Sequence, residues 1–371
     1  MNKKLIISLA FLFLLAGSNS VKAQLIKGPQ IDRQNRATFH VYAPGADSVK
    51  VINLSDEAAM GAKEYNMTED TSGNWAVTTK SCRAGFHYYE ISVDGFRAAD
   101  PSAPAYFGWG KWTSGLEIPG DEDFYLPQEV PHGEVHYHWY HSDVTGTYRK
   151  CLVYTPPGYE ENKSERYPVL YLQHGAGESE LAWTMQGKVN FIMDNLLEEG
   201  NVKPMIIVMD NGYAARPGSE NPGRPYGRDN AFENLVVHEL VPMIDASYRT
   251  FTDADHRAIA GLSMGAGQAL SIGLGHPGLF HWIGAFSGGG RRFDPQTSYG
   301  GVFANPQTFN GTYRLLWLGC GYADNGYEHV EAFHQALDKA VIENTWYEGP
   351  GSHEWQVWRH HILAFSQLLF R

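Results

Sequence analysis

The segment RAIAGLSMGAGQAL (residues 257–270) contains Gly261-Leu262-Ser263-Met264-Gly265, a G-x-S-x-G arrangement. An apolar run leads into it and a small-residue run leads out, which reads as strand, tight turn, helix. Such a turn holds the serine in a strained conformation and leaves room only for glycine two positions either side. Ser263 Oγ would then project above a sheet edge, with the Met264 N–H and the helix N-terminus facing any developing oxyanion. A serine hydroxyl is a weak nucleophile near neutral pH and needs a base. In strand–turn–helix sites of this kind the acid and then the histidine follow the serine in the chain. Asp324, in RLLWLGCGYADNGYEH, lies just past an apolar strand, where an acid that orients a histidine belongs; Asp294 and Glu328 are its rivals. Five histidines follow Asp324. His329 and His334 belong to a helical pattern, and His360 and His361 to the terminal run VWRHHILAFSQLL. His353, in GPGSHEW, alone sits in a loop after the last strand pattern, and is the candidate general base. The second oxyanion donor is expected from His174-Gly175-Ala176-Gly177, after the strand YPVLYLQ; Ala176 is favoured, with Gly175 and Gly177 as alternatives and His174 shaping the loop. His136 and His138 in HYHWYH have a spacing that could hold a metal, but no third ligand stands at a sensible place.

These residues need a sheet to bring them together. From residue 133 onward, strand patterns (GEVHYHWYHS, RKCLVYTP, YPVLYLQHG, PMIIVMDNG, RAIAGLS, WIGAFSGG, RLLWLGCG, VIENTWYEG) alternate in the later part with amphipathic stretches such as NFIMDNLLEE and VEAFHQALDKA. In FENLVVHELVPMIDASY, Phe232, Val236, Leu240 and Ile244 recur at helical spacing. The pattern predicts an α/β fold, with a mostly parallel central sheet and helices on both faces. Ahead of it, from Gln30 to about Ile118, short alternating runs broken by Gly, Asp and Pro predict a small all-β sandwich. The Pro/Gly/acid-rich segment 117–133 separates the two, giving expected domains at 24–125 and 126–371. Two long Gly/Pro-rich loops, 211–229 and 287–311, follow strand ends, where ligands of open α/β sheets sit.

Residues 1–23 have a Lys3-Lys4 start, a short apolar run and a Val21-Lys22-Ala23 end, the layout of a secretory signal peptide. Its removal takes three lysines and no acid, moving the formal charge from −12 to −15. An exported, periplasmic or extracellular protein follows, with no membrane insertion after cleavage. Its acidity argues against nucleic-acid and anionic-membrane partners and for a neutral substrate. Cys82, Cys151 and Cys320 are expected to be free thiols without chemistry. Ten Trp and 21 Tyr supply enough aromatic surface to stack on sugars or phenolic rings, although core filling is the default for any one of them.

The region 130–371 resembles the esterase D-type α/β-hydrolases, and within them carbohydrate esterase family 1, the bacterial feruloyl esterases and acetyl xylan esterases. The resemblance rests on YRKCLVYTPPGY, YPVLYLQHGAGESELAW, NFIMDNLLEEGNVKPMIIVMDNG, GLSMGAG, LGCGYAD and GSHEW. It implies a triad at Ser263, Asp324 and His353 and suggests that Trp183 helps shape the substrate site. RATFHVYAPGADSVKV and DGFRAADPSAP resemble the immunoglobulin-like early-set domain related to glycogen-binding modules, implying a possible carbohydrate role, with Trp109 and Trp112 as stacking candidates. The expectation is a serine esterase acting on feruloylated or acetylated xylan or xylo-oligosaccharides, through an acyl-enzyme and without metal or organic cofactor. Feruloyl ester hydrolysis leads; acetyl xylan or dual activity, siderophore ester hydrolysis and, in another class, non-catalytic carbohydrate binding are the alternatives.

Overall fold

The computed structural model describes residues 28–218, 230–290 and 292–371. The signal-peptide stretch and residues 219–229 of the 211–229 loop lie outside the described residues.

Eight strands form the large sheet: β1 (Glu134–Ser142), β2 (Thr147–Thr155), β3 (Val169–Gln173), β4 (Ile206–Asp210), β5 (Arg257–Leu262), β6 (Trp282–Phe286), β7 (Leu315–Gly321) and β8 (Thr345–Gly349). Their spatial order is β1-β2-β4-β3-β5-β6-β7-β8. The hairpin β1–β2 pairs antiparallel and β2 meets β4 antiparallel; all neighbours from β4 to β8 are parallel. This is the mostly parallel sheet that the strand patterns predict, in the α/β-hydrolase fold that the resemblance implies. Because side chains alternate across a strand, the central strands feed two separate cores. Val169, Tyr171 and Ile259 pack on one face with the helices Met264–Gly275 and Tyr327–Lys339. Leu170, Leu172, Ala258 and Ala260 pack on the other with the helices Val189–Glu198 and Trp355–Ser366.

The stretch expected as one helix from 232 to 248 is interrupted. Helices Ala231–Leu235 and Val241–Ser247 flank one wide π turn, Val236–Leu240. Pro242 has no N–H to give and crowds the preceding turn, and a bulge of this kind relieves both. The apolar face survives, with Phe232, Val236, Leu240 and Ile244 all buried.

Apart from one helical turn, Glu57–Met60, the front region is built of strands: a four-stranded and a six-stranded sheet enclose Phe39, Val51, Met60, Trp75, Tyr89 and Ile91. Its strand Gly85–Val93 is buried along nearly its whole length. Tyr89 and Ile91 face the sandwich core, whereas Phe86 and Tyr88 join the hydrolase core beside Trp183 and Trp355. The front domain is thus packed onto the face that carries the terminal helix. Arg359 of that helix makes a bidentate pair with Glu117 at 2.7 and 2.9 Å. All three cysteines are buried and free. Among the described residues no helix is long and apolar enough to cross a membrane.

Candidate active site

Ser263 follows the last residue of β5 and precedes the helix Met264–Gly275, with φ 51° and ψ −109°. That left-handed φ is costly for a residue with a Cβ and is held by its surroundings: Ser263 N–H donates to Phe286 O at 2.8 Å. The two flanking glycines are sterically required. A Cβ on Gly261 would lie 2.6 Å from Gly265 C and O, and one on Gly265 would lie 2.7 Å from both Gln173 O and His174 O. Met264 N–H opens the helix directly after the serine.

Asp324 lies just past β7, in the loop before the helix Tyr327–Lys339. Its Oδ2 is 2.7 Å from His353 Nδ1, and its Oδ1 accepts from Gly326 N–H at 2.7 Å. Burial would raise the Asp324 carboxyl, but the hydrogen bond and charge of His353, with help from Gly326 N–H and Ser287, hold it below the ordinary value. With an ionised Asp324 accepting at Nδ1, the imidazole proton stays there and Nε2 is left to take a proton. The rivals lie elsewhere: Asp294 is exposed and binds its own turn through Gln296 N–H and Thr297 Oγ1, and Glu328 is in the first turn of a helix. His353 is exposed, with its ring edge-on to Trp358 at 5.0 Å and 89°. Trp358 Nε1 in turn donates to Ser287 Oγ at 3.1 Å. His361 is buried in the terminal helix, and His360 reaches Glu122 at 3.0 Å.

On the loop after β3, the candidate donors separate by what they already bind. Gly175 N–H is taken by Glu178 Oε2 at 3.1 Å and Gly177 N–H by Tyr213 Oη at 2.6 Å. Ala176 is exposed between them, and its N–H has no hydrogen-bond partner among the described residues. His174 is buried, bonding Gly175 O through Nδ1 and accepting from Gly212 N–H at Nε2; burial lowers it to about 4, so it is a neutral brace for the loop. Glu178 ties this loop to the rest of the site. Tyr88 Oη and Trp355 Nε1 donate to its Oε1 at 3.2 and 3.0 Å.

Two cavities meet at Ala176, Ser263 and His353. One, about 890 Å³, is open and lined largely by the Gly-rich turn after β6 and the Asp324 loop. The other is a slot of about 260 Å³ walled by Leu54, Phe86, Tyr88, Trp109, Trp355 and Trp358. Four of those six side chains come from the front domain. None except Trp109 was a sequence candidate, although FHYYEISV carries large side chains on both alternating faces, the sign of a strand covered twice. Trp183, expected in the substrate site, does not line either cavity. It is 1% exposed, donates to Gln173 O, and stands behind Trp355 at a ring distance of 5.3 Å. A lone tryptophan after the loop was legible as important, but not as a backing residue.

The front domain also reaches the base loop. Arg83 Nη1 is 2.7 Å from Glu354 Oε1, which accepts from Ser352 N–H at 3.0 Å, so one carboxylate pins the residues either side of His353. The hairpin turn Trp109-Gly110 sits on the oxyanion loop, Gly110 N–H donating to Gly177 O at 2.8 Å. Ala176, Ser263, Met264 and His353 all line the open cavity, so a hydroxyl, an imidazole bonded to Asp324 and the candidate backbone donors border one space, an arrangement suited to acyl transfer.

The family model described as "Putative esterase" matches residues 142–368, and that of carbohydrate-binding module 48 (isoamylase N-terminal domain) matches residues 27–106. An endo-1,4-beta-xylanase/feruloyl esterase of Xylanibacter ruminicola is 36% identical over 350 residues, covering 92% of this chain and 46% of that protein. This chain therefore spans less than half the length of that relative. Among solved structures, a CE1 ferulic acid esterase of Anaeromyces mucronatus in complex with ferulic acid is 28% identical with a TM-score of 0.59, covering 69% of this chain and 98% of that one. The enterobactin esterase of Shigella flexneri shares the fold over 95% of this chain and 98% of its own (TM-score 0.66) at 18% identity. With a family model over more than half its length, and with this serine, acid, histidine and front-domain arrangement, the chain belongs to the putative esterase family.

Proposed function

We propose that this protein is a serine carboxylic-ester hydrolase that removes feruloyl groups from arabinoxylan or its fragments. The observation that carries the acyl preference is the slot beside Ser263: its six large apolar and aromatic walls suit a planar phenolic ring and far exceed what an acetyl group would fill. The feruloyl esterase names of the relatives support the same reading.

In this mechanism His353 Nε2 takes the Ser263 proton as Oγ attacks the ester carbonyl carbon. The carbonyl π electrons move to oxygen, and that oxyanion is received by the N–H groups of Met264 and Ala176. Asp324 steadies the imidazolium. The tetrahedral carbon then expels the sugar oxygen, which leaves as the alcohol with the proton from His353. Water, deprotonated by His353, attacks the acyl-enzyme, and ferulate departs as Ser263 regains its proton. Among the described residues lining the slot there is no lysine or arginine to receive a negatively charged ferric catecholate, while Asp56, Glu178 and Glu354 are present. Export is inferred from the charged, apolar and small-residue layout of residues 1–23.

Hydrolysis of methyl ferulate, feruloylated arabinoxylan, acetylated xylan and a ferric catecholate ester tests the reading. Ferulate release that disappears in Ser263→Ala is expected. Activity on acetylated xylan or the catecholate ester, with none on either feruloyl ester, would overturn it.

A further inference from the structure

A separate groove of about 510 Å³ lies on the far side of the oxyanion loop from the slot. Glu178 lines both, and the Trp109-Gly110 turn stands between them, Trp109 facing the slot and Gly110 the groove. Across the domain junction the groove is bounded by Phe107 of the front domain and by Trp139, Tyr148 and Tyr213 of the hydrolase domain. Trp139 and Tyr148, on the edge hairpin β1–β2, are 64% and 75% exposed. What sets these two rings apart from single exposed aromatics is that both line one groove, together with Phe107 and Tyr213.

The charges of the groove are internally matched. Arg149 donates to Tyr213 O, Asn211 O and Tyr140 Oη and faces Asp210 at 3.4 Å. Lys150 Nζ is 3.1 Å from Glu180 Oε1 and sits near the Tyr137 and Trp139 rings, 5.3 and 5.7 Å from their centroids. Neither cation is available to bind an anion. What remains is a ring-faced, hydrogen-bonding, electrically neutral surface that begins at the wall of the catalytic slot.

We propose that this groove binds a neutral glycan chain, the polysaccharide portion of the substrate, by stacking sugar rings on Trp139 and Tyr148. This rests on the feruloyl-polysaccharide reading above and extends it from the ester to the polymer. Stacking on exposed aromatic faces suits pyranose rings, whose axial C–H groups are apolar and whose hydroxyls stay hydrated at the edge.

The test uses the full chain carrying Ser263→Ala, with and without Trp139→Ala/Tyr148→Ala, in affinity gels containing arabinoxylan stripped of its esters. Retardation of the parent and a loss of about tenfold in affinity in the double variant are expected. In the otherwise unaltered enzyme, Trp139→Ala/Tyr148→Ala should raise KM for feruloylated arabinoxylan about tenfold and leave methyl ferulate kinetics unchanged. Because both side chains are exposed, the thermal midpoint should hold. Methyl ferulate hydrolysis with no binding of stripped arabinoxylan, or binding that the double variant keeps, overturns the groove alone. Absence of hydrolysis of either feruloyl ester by the unaltered enzyme would instead overturn the acyl reading. A dimer that dissociates in the double variant would assign the rings to self-association and overturn the proposal.

Discussion

Replacing Glu178 by Gln separates the charge of this side chain from its shape. Three donors converge on the carboxylate: Gly175 N–H at Oε2, and Tyr88 Oη and Trp355 Nε1 at Oε1. An amide has one acceptor oxygen, so its NH₂ group must face either Gly175 N–H or Trp355 Nε1–H. Either Gly175 N–H loses its acceptor, or Trp355 Nε1–H keeps only its 3.3 Å bond to Tyr88 Oη, at a cost of about 1–3 kcal/mol. A second effect has the opposite sign and depends on pH. Burial raises the Glu178 carboxyl from 4.5 to about 7, against the pull of its three donors and of His353. The folded protein therefore holds this proton more tightly than the unfolded chain does. The resulting stabilisation is fully present below the unfolded value and is lost as pH rises through the folded one. Across that window the wild type loses about 3 kcal/mol that Glu178→Gln, with nothing to titrate, does not lose. Urea denaturation should find the variant weaker by about 1–3 kcal/mol near pH 4, and equal to or stronger than the wild type near pH 8.5. Its kcat should fall about tenfold, because Gly175 sets the loop that carries Ala176. A stability difference that does not change with pH would refute the burial argument, and an unchanged kcat would refute the loop argument.

Asp324→Asn should lower kcat about 10⁴-fold with little change in KM, by presenting the wrong imidazole tautomer; steady-state kinetics on methyl ferulate checks it. The same variant should lack the stability that the lowered Asp324 carboxyl gives the wild type, present above its unfolded value and lost as pH falls through the folded one, so denaturation should find it weaker near pH 7 and the difference shrinking below about pH 4. Gly265→Ala should destabilise by about 1–3 kcal/mol and abolish turnover, since its Cβ meets two backbone oxygens that cannot yield; thermal melting and kcat measure both. Arg83→Ala leaves Glu354, whose side chain is 6% exposed, without its cation. Arg83 itself is 39% exposed, so the loss is discounted to about 1–2 kcal/mol. Its signature is a fall in kcat with KM held, partly rescued by Arg83→Lys.

The hydrolase sheet was legible because each strand run ends in turn residues and its apolar pattern has one period. Ser263 was legible because the glycines around it obey a steric rule visible in five letters. Asp324 and His353 followed from loop position and chain order, which do not depend on distance. The slot was not legible. Leu54, Phe86 and Tyr88 look like ordinary sandwich residues, and only the docking of one domain on another turns them toward Ser263. Trp183 failed the other way: its proximity to the oxyanion loop was readable, but whether a ring faces a cavity or backs its wall is decided by Trp355, 172 residues further on. The π turn at Val236–Leu240 was hidden because the apolar spacing holds on either side of it.

The strand Gly85–Val93 also bears on how the molecule comes into being. Tyr88 bonds Trp355 across 267 residues and Arg83 bonds Glu354 across 271, so neither bond can form until the later partner has been made. Until the terminal helix exists, the emerging sandwich carries Phe86 and Tyr88 on an uncovered face, a sticky surface that chaperones would shield. When the helix arrives, it covers that face and seats the His353 loop in one event. One helix thus serves both as the cover of the domain junction and as the support of the candidate base loop.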